Sequence, residues 1–139
     1  MEKEMINQLI DTAIYQLKYS YTPYSNFKVG AALLAKNGQV YTGCNIENAG
    51  YTATNCAERT AFFKAVSEGV KDFQAICVVG GKAGVLTEYA APCGVCRQVM
   101  AEFCDPKAFR VLMARTETDY RECSLEEVLP FGFTKEELQ

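Results

Sequence analysis

Met5, Ile6, Leu9, Ile10, Ala13, Ile14 and Leu17 recur at helical spacing, which predicts an amphipathic first helix. Pro23 and the polar residues around it break that pattern. Phe27 to Ala35 is a run of apolar and small residues, Asn37-Gly38 is a hairpin turn pair, and Val40 to Cys44 returns as a second strand. Asn45 to Asn55, polar and aromatic, predicts a loop. Cys56 to Gly69 reads as a helix with Ala57, Ala61, Phe62 and Ala65 toward the core and Gly69 as its stop. Ala75 to Val79 is a short unbroken apolar run, the pattern of a strand buried on both faces, and Gly80-Gly81 is expected to end it. Pro92 leads into a third helix, Cys93 to Cys104, and Phe109 to Ala114 predicts another strand. Ser124-x-x-Glu127 is a capping box that opens a short helix, closed by Pro130. Strand, helix, strand, helix, strand in this order predicts an α/β fold, a sheet with helices on both faces.

Composition narrows the picture. The chain has 139 residues, enough for one domain with a real core and too few for two, so a single domain over 1–139 is expected. No apolar run approaches the ~20 residues of a membrane helix, and the charged start Met1-Glu2-Lys3-Glu4 lacks a signal-peptide core. A cytoplasmic protein without a membrane partner is the expectation. Seven cysteines is an odd count and Cys93/Cys96 has metal spacing, so reduced thiols fit better than a disulfide framework. The net charge of −3 carries no basic tract, which argues against a nucleic-acid partner and for a small-molecule ligand.

The chain contains no histidine, so Asp, Glu, Cys, Lys or Tyr must carry any acid–base work. Against that background Cys56-Ala57-Glu58 and Pro92-Cys93-Gly94-Val95-Cys96 stand out. Cys93 and Cys96, three apart at a helix start, turn their sulfurs the same way. Cys56 opens the preceding helix, and both helix N-termini belong at the same edge of the sheet, where ligands collect. Helix N-termini lower thiol pKa values and favour the thiolates that zinc requires. Three protein ligands leave a fourth position open for water, whose pKa zinc lowers from ~15.7 toward ~7. Three thiolates leave the centre with net negative charge, and Arg59 is the adjacent cation able to donate to the sulfurs. Two other readings stand beside this one: a redox pair at Cys93/Cys96, and a closed structural zinc site with Cys44 or Cys104 as fourth ligand.

C-x-E with P-C-x-x-C is the cysteine form of the zinc deaminase signature. Further stretches carry a closer resemblance: Tyr24-Ser25-Asn26-Phe27-Lys28-Val29-Gly30-Ala31-Ala32-Leu33, Gly43-Cys44-Asn45-Ile46-Glu47-Asn48-Ala49, Asn55 to Ala61 and Pro92 to Val99. Over nearly its whole length the chain resembles the small cytidine deaminases of the three-cysteine, homotetrameric kind. The resemblance implies a three-layer α/β/α catalytic domain with a central mixed β-sheet. It implies one zinc ion on Cys56, Cys93 and Cys96, and deamination of cytidine and 2'-deoxycytidine to uridine and 2'-deoxyuridine in pyrimidine salvage. Hydroxide on zinc would attack C4, and Glu58 would carry protons to ring N3 and to the leaving ammonia. Asn45 and Glu47 would hold the ribose hydroxyls, Phe27 would stack on the pyrimidine, and the backbone of Ala57 would contact the base. Tyr51 and Phe133 would reach a neighbouring subunit's site in a homotetramer, with Phe131 as competitor for the second role.

Without the resemblance, Asn45 and Glu47 read as a surface turn with a nearby acid, Phe27 as core, and Tyr51 as a loop aromatic. Cys44, Cys77, Cys104 and Cys123 read as small apolar residues, and Lys64, Lys71 and Lys82 as solvated charges. Lys82 to Ala91 matches no family motif, leads into the second zinc segment and is placed to alter access to the site. The nearest rival is a deaminase acting on a nucleoside-like antibiotic such as blasticidin S, against which Asn45-Ile46-Glu47 argues. A non-enzymatic zinc-stabilised module is the rival from another class.

Overall fold

Side chains alternate between two apolar layers along the three inner strands, and that alternation decides the architecture. The computed structural model describes residues 1–139. Helix α1 (Lys3–Tyr15), prolonged by a 3-10 turn at Gln16–Tyr19, precedes the hairpin of β1 (Phe27–Ala35) and β2 (Val40–Cys44). Helix α2 (Ala57–Ser67), strand β3 (Phe73–Lys82) and helix α3 (Gly94–Phe103) follow. Strands β4 (Arg110–Thr116) and β5 (Asp119–Ser124) and the short α4 (Leu125–Val128) complete the body. One mixed sheet results, in the order β2-β1-β3-β4-β5. Only β3 and β4 are parallel, and α3 supplies the crossover that a parallel pair requires.

Ala31, Leu33, Ile76, Val78, Val111 and Met113 share one core with Phe62 of α2, Met100 of α3 and Leu125 of α4. Ala32, Leu34, Cys77, Val79 and Leu112 share the other with Ile6, Leu9, Ile10 and Ala13 of α1. The sheet is therefore covered on both sides, the three-layer arrangement expected. Each large aliphatic side chain buried this way stabilises the fold by about 1.5–3 kcal/mol. No helix is long and apolar enough to cross a membrane.

Two glycines set how closely the helices lie on the sheet. A Cβ on Gly30 would sit 2.1 Å from the Ala13 carbonyl oxygen of α1. One on Gly43 would sit 2.2 Å from the Ala57 carbonyl oxygen and 2.8 Å from the Ala61 nitrogen of α2. The second approach matters for function, because α2 carries Glu58 and is capped by Cys56.

Two details depart from the sequence reading. Gly80-Gly81 does not end β3: Gly80 pairs with Val29, Gly81 with Lys28 and Lys82 with Phe27. These glycines make room for the following segment, which folds back so closely that a Cβ on Gly81 would lie 1.9 Å from the Val85 carbonyl oxygen. Strand β5 was not anticipated. It is an edge strand with charged Arg121 and Glu122 exposed, a composition that protects an edge and hides its period. The Ser124/Glu127 capping box forms as read, with both reciprocal hydrogen bonds.

Gly43→Ala should force α2 off the sheet. We expect a loss of about 1–3 kcal/mol, the usual range for overpacking, read from the urea midpoint of the zinc-loaded protein. An unchanged midpoint would contradict the close-packing role of Gly43.

Candidate active site

Two helix N-termini bring three thiols together. Cys56 and Cys93 are the N-cap residues of α2 and α3, each with extended backbone angles, so their side chains project ahead of the helices. Cys96 lies in the first turn of α3, where its backbone N–H donates to Cys93 Sγ at 3.4 Å. The sulfurs of Cys56 and Cys93 are 3.5 Å apart, those of Cys93 and Cys96 3.3 Å, and all three lie within 4.8 Å of one another. Thiolates about 2.3 Å from a tetrahedral zinc ion would be separated by about 3.8 Å, so the cluster needs only a small adjustment to take one. Cys56, Cys93 and Cys96 are thus positioned to bind a metal ion.

Neither candidate for a fourth sulfur joins them. Cys44 donates its thiol to the Tyr19 carbonyl at 3.4 Å, and Cys104 is buried in the core. Burial pushes the Cys77 thiol up to about 12 and raises that of Cys104 too, which keeps both neutral. At the centre the direction reverses. The hydrogen bond from Cys96 and, after the opposing effect of burial, the Arg59 guanidinium hold Cys56 down at about 5. Cys96, which keeps the shared proton, is raised. Arg59 Nη2 donates to Cys56 Sγ at 3.3 Å, and its Nε is buried without a protein partner. A cation so placed offsets the negative charge of a thiolate cluster.

Glu58, in the first turn of α2, is 3% exposed. Burial pushes its carboxyl up to about 7, with the Cys56 charge adding to the rise and hydrogen bonding to backbone N–H groups opposing it. The carboxyl lines a cavity of about 360 Å³ together with Cys56, Cys93 and Ala57, within the span of small-molecule sites at about 300–1,000 Å³.

Phe27, Asn45 and Glu47 belong to the same cavity. Phe27 is 43% exposed at the start of β1 and so is not a core residue. Asn45 Oδ1 accepts from the Val29 N–H at 3.0 Å, and Nδ2 donates to the Phe27 carbonyl at 2.8 Å, which leaves one amide hydrogen for a ligand. Glu47 Oε1 accepts from the backbone N–H groups of Tyr24 and Ser25 at 3.0 and 3.1 Å, and Oε2 accepts from the Ser25 hydroxyl. The Ser25 hydroxyl and these N–H groups hold the Glu47 carboxyl below its usual range. Ile46, between them, bridges to Tyr21 and Asn55, so the stretch is extended and its two polar side chains are fixed.

Tyr51 and Phe133 are 88% and 61% exposed and do not line the cavity of their own chain, nor does Phe131. Thr54, Asn55, Tyr89, Ala90 and Ala91 do line it. Sequence reasoning names none of these individually as wall residues and treats Lys82 to Ala91 only as a segment placed to alter access to the site. Asn55 lies in a matched stretch, whereas nothing in the local pattern marks 89–91.

Removing the Arg59 cation should weaken the centre. We expect Arg59→Ala to lower zinc affinity by about 10–100-fold in competition with a chromophoric chelator, the usual effect of losing a partner of a metal ligand. Wild-type affinity and turnover together would remove Arg59 from the account.

Residues 3–113 match the family model described as the cytidine and deoxycytidylate deaminase zinc-binding region. A cytidine deaminase of Sporosarcina psychrophila is 48% identical over 133 residues, covering 96% of this chain and 94% of that protein. One from Halalkalibacterium halodurans is 49% identical over 138 residues, covering 99% and 98%. The crystal structure of cytidine deaminase from Burkholderia pseudomallei superposes with a TM-score of 0.82 at 45% identity, covering 91% of this chain and 97% of that one. With the three-thiol centre at the junction of two helix N-termini, these matches establish that the chain belongs to the zinc-dependent cytidine deaminase family.

Proposed function

We propose that this chain deaminates cytidine and 2'-deoxycytidine hydrolytically, giving uridine or 2'-deoxyuridine and ammonia. The observation that carries the reading is Glu58: a buried carboxyl, poised near neutrality, in one cavity with three thiols and with Asn45 and Glu47. Cys56, Cys93 and Cys96 would hold a zinc ion, which would supply an activated water near neutral pH.

The residues of the chain do the rest. Phe27 stacks on the pyrimidine face, and the free amide hydrogen of Asn45 and the lone pairs of Glu47 hold the ribose hydroxyls. Fixed before the substrate arrives, these groups lose little freedom on binding. The backbone of Ala57 orients the base so that C4 faces the thiol centre. Glu58 accepts a proton from water and delivers it to ring N3, then takes the second proton from the new C4 hydroxyl and passes it to the departing amine, which leaves C4 as a carbonyl. Its carboxyl suits that shuttle, because a group that titrates near the working pH can both accept and donate. Water adds its oxygen at C4 and the C4–N bond breaks, so one water is consumed for each ammonia released.

The cavity also argues for the unphosphorylated substrate. None of its lining residues is Lys or Arg, and Glu47 contributes negative charge. A 5'-phosphate would enter without a counter-charge. Tyr51 and Phe133, exposed aromatics outside their own cavity, suit a role in a neighbour's site, so we place the active sites at subunit junctions of a homotetramer. Seven free cysteines suit a reducing compartment, which supports a cytoplasmic setting for the pyrimidine-salvage activity we propose.

Glu58→Gln tests the reading. We expect a folded variant that keeps one zinc per chain and loses at least about 10²–10⁴-fold in uridine and ammonia release, the usual share of general acid–base catalysis. A wild-type rate in that variant would take Glu58 out of the mechanism. Absence of release by the wild-type protein from cytidine would overturn the substrate assignment.

A further inference from the structure

Residues 83–91 carry no recognisable motif, yet Tyr89, Ala90 and Ala91 form part of the cavity wall, and the segment runs directly into Pro92 and Cys93. Other parts of the fold hold it at several points. At its start the Ala83 N–H donates to the Asn26 carbonyl at 2.7 Å. In its middle Arg115 Nη1 donates to the Thr87 carbonyl at 2.8 Å. Near its end the Tyr89 hydroxyl donates to Asp119 Oδ1, while Arg115 Nε donates to Asp119 Oδ2 at 2.7 Å. The guanidinium groups of Arg115 and Arg121 stand 4.9 and 4.8 Å from the centre of the Tyr89 ring, within cation–π range. Arg115 is the penultimate residue of β4 and Asp119 begins β5, so one tight hairpin grips the segment at two points.

We propose that Tyr89, Asp119 and Arg115 form a clamp that seats 83–91 as a wall of the nucleoside cavity and so sets substrate affinity. Rested on the deaminase reading above, the clamp makes Asp119 and Arg115 positioning residues, since neither lines the cavity. Its effect is separable from the metal centre. Arg97 Nε independently holds the Pro92 carbonyl at 2.6 Å, Arg97 Nη1 reaches the Val128 carbonyl at 2.6 Å, and Cys93 is fixed as the cap of α3. Loosening the clamp therefore frees Ala90 and Ala91 while the thiols stay in place. A wall seated only a tenth of the time would raise the apparent dissociation constant about tenfold without changing the chemistry.

The test compares full-length, zinc-loaded wild type with Asp119→Ala, Asp119→Asn and Tyr89→Phe. Each is assayed for KM and kcat with cytidine, for bound zinc, and for amide hydrogen exchange over 83–91. Asp119→Ala should raise KM about 5–20-fold, with kcat within about twofold, zinc at one per chain and faster exchange confined to 83–91. Asp119→Asn, which keeps an acceptor for the Tyr89 hydroxyl, should restore part of the affinity. Tyr89→Phe, which leaves the Arg115–Asp119 pair intact, gives an intermediate KM and covers the case in which Asp119→Ala does not fold. An unchanged KM in the folded variants, a fall in kcat with zinc loss, or unchanged exchange over 83–91 would each overturn the clamp. If wild type does not deaminate cytidine, the function reading fails by itself, and exchange over 83–91 still decides whether the clamp holds the segment.

Discussion

The site depends on one electrostatic constraint: three sulfur atoms within 4.8 Å must be held together although their ionised forms repel. The fold meets it with geometry and with fixed positive ends. Two helix N-termini meet at one edge of the sheet, and each presents a cysteine as its capping residue. Helix N-termini favour negative charge, and the Arg59 guanidinium adds a full positive charge against Cys56. The meeting point is set in turn by packing. Gly43 allows α2 to lie against β2, and the crossover from β3 to β4 brings α3 beside it.

The same placement gives Glu58 its character. Two residues beyond Cys56 on a helix pressed against the sheet, its carboxyl is buried and lies near the thiols of Cys56 and Cys96. Burial raises it, and backbone donors keep it from rising further. The carboxyl at Glu47 lives under opposite conditions: half-buried, with backbone donors on one oxygen and a hydroxyl on the other, it is held below its usual range. Two carboxylates in one cavity are thereby shifted in opposite directions, a division made by environment alone.

Much of this arrangement is legible in the sequence because local signals agree. The run of apolar and small residues and Asn37-Gly38 mark β1 and β2 to the residue, and the helices that carry the thiols are marked to within two residues. Cys56, Glu58, Cys93 and Cys96 announce themselves by spacing. Less legible are features made by the fold. Gly80-Gly81 looks like a strand end, and only the chain folding back over it explains glycines inside β3. Strand β5 exposes charges along an edge and offers no apolar period. The hold of Asp119 on Tyr89 spans thirty residues and joins segments without motifs, so no local pattern points to it. The partners of Glu47 are likewise mostly backbone N–H groups, which carry no residue signature.

The central claim is an open three-thiolate metal centre facing a nucleoside cavity, and cobalt substitution tests it most directly. The visible spectrum of the cobalt-loaded protein should show three sulfur ligands and one oxygen, and should shift when cytidine or uridine is added. A four-sulfur spectrum that the nucleoside leaves unchanged would contradict the account and place the metal in a closed, structural role.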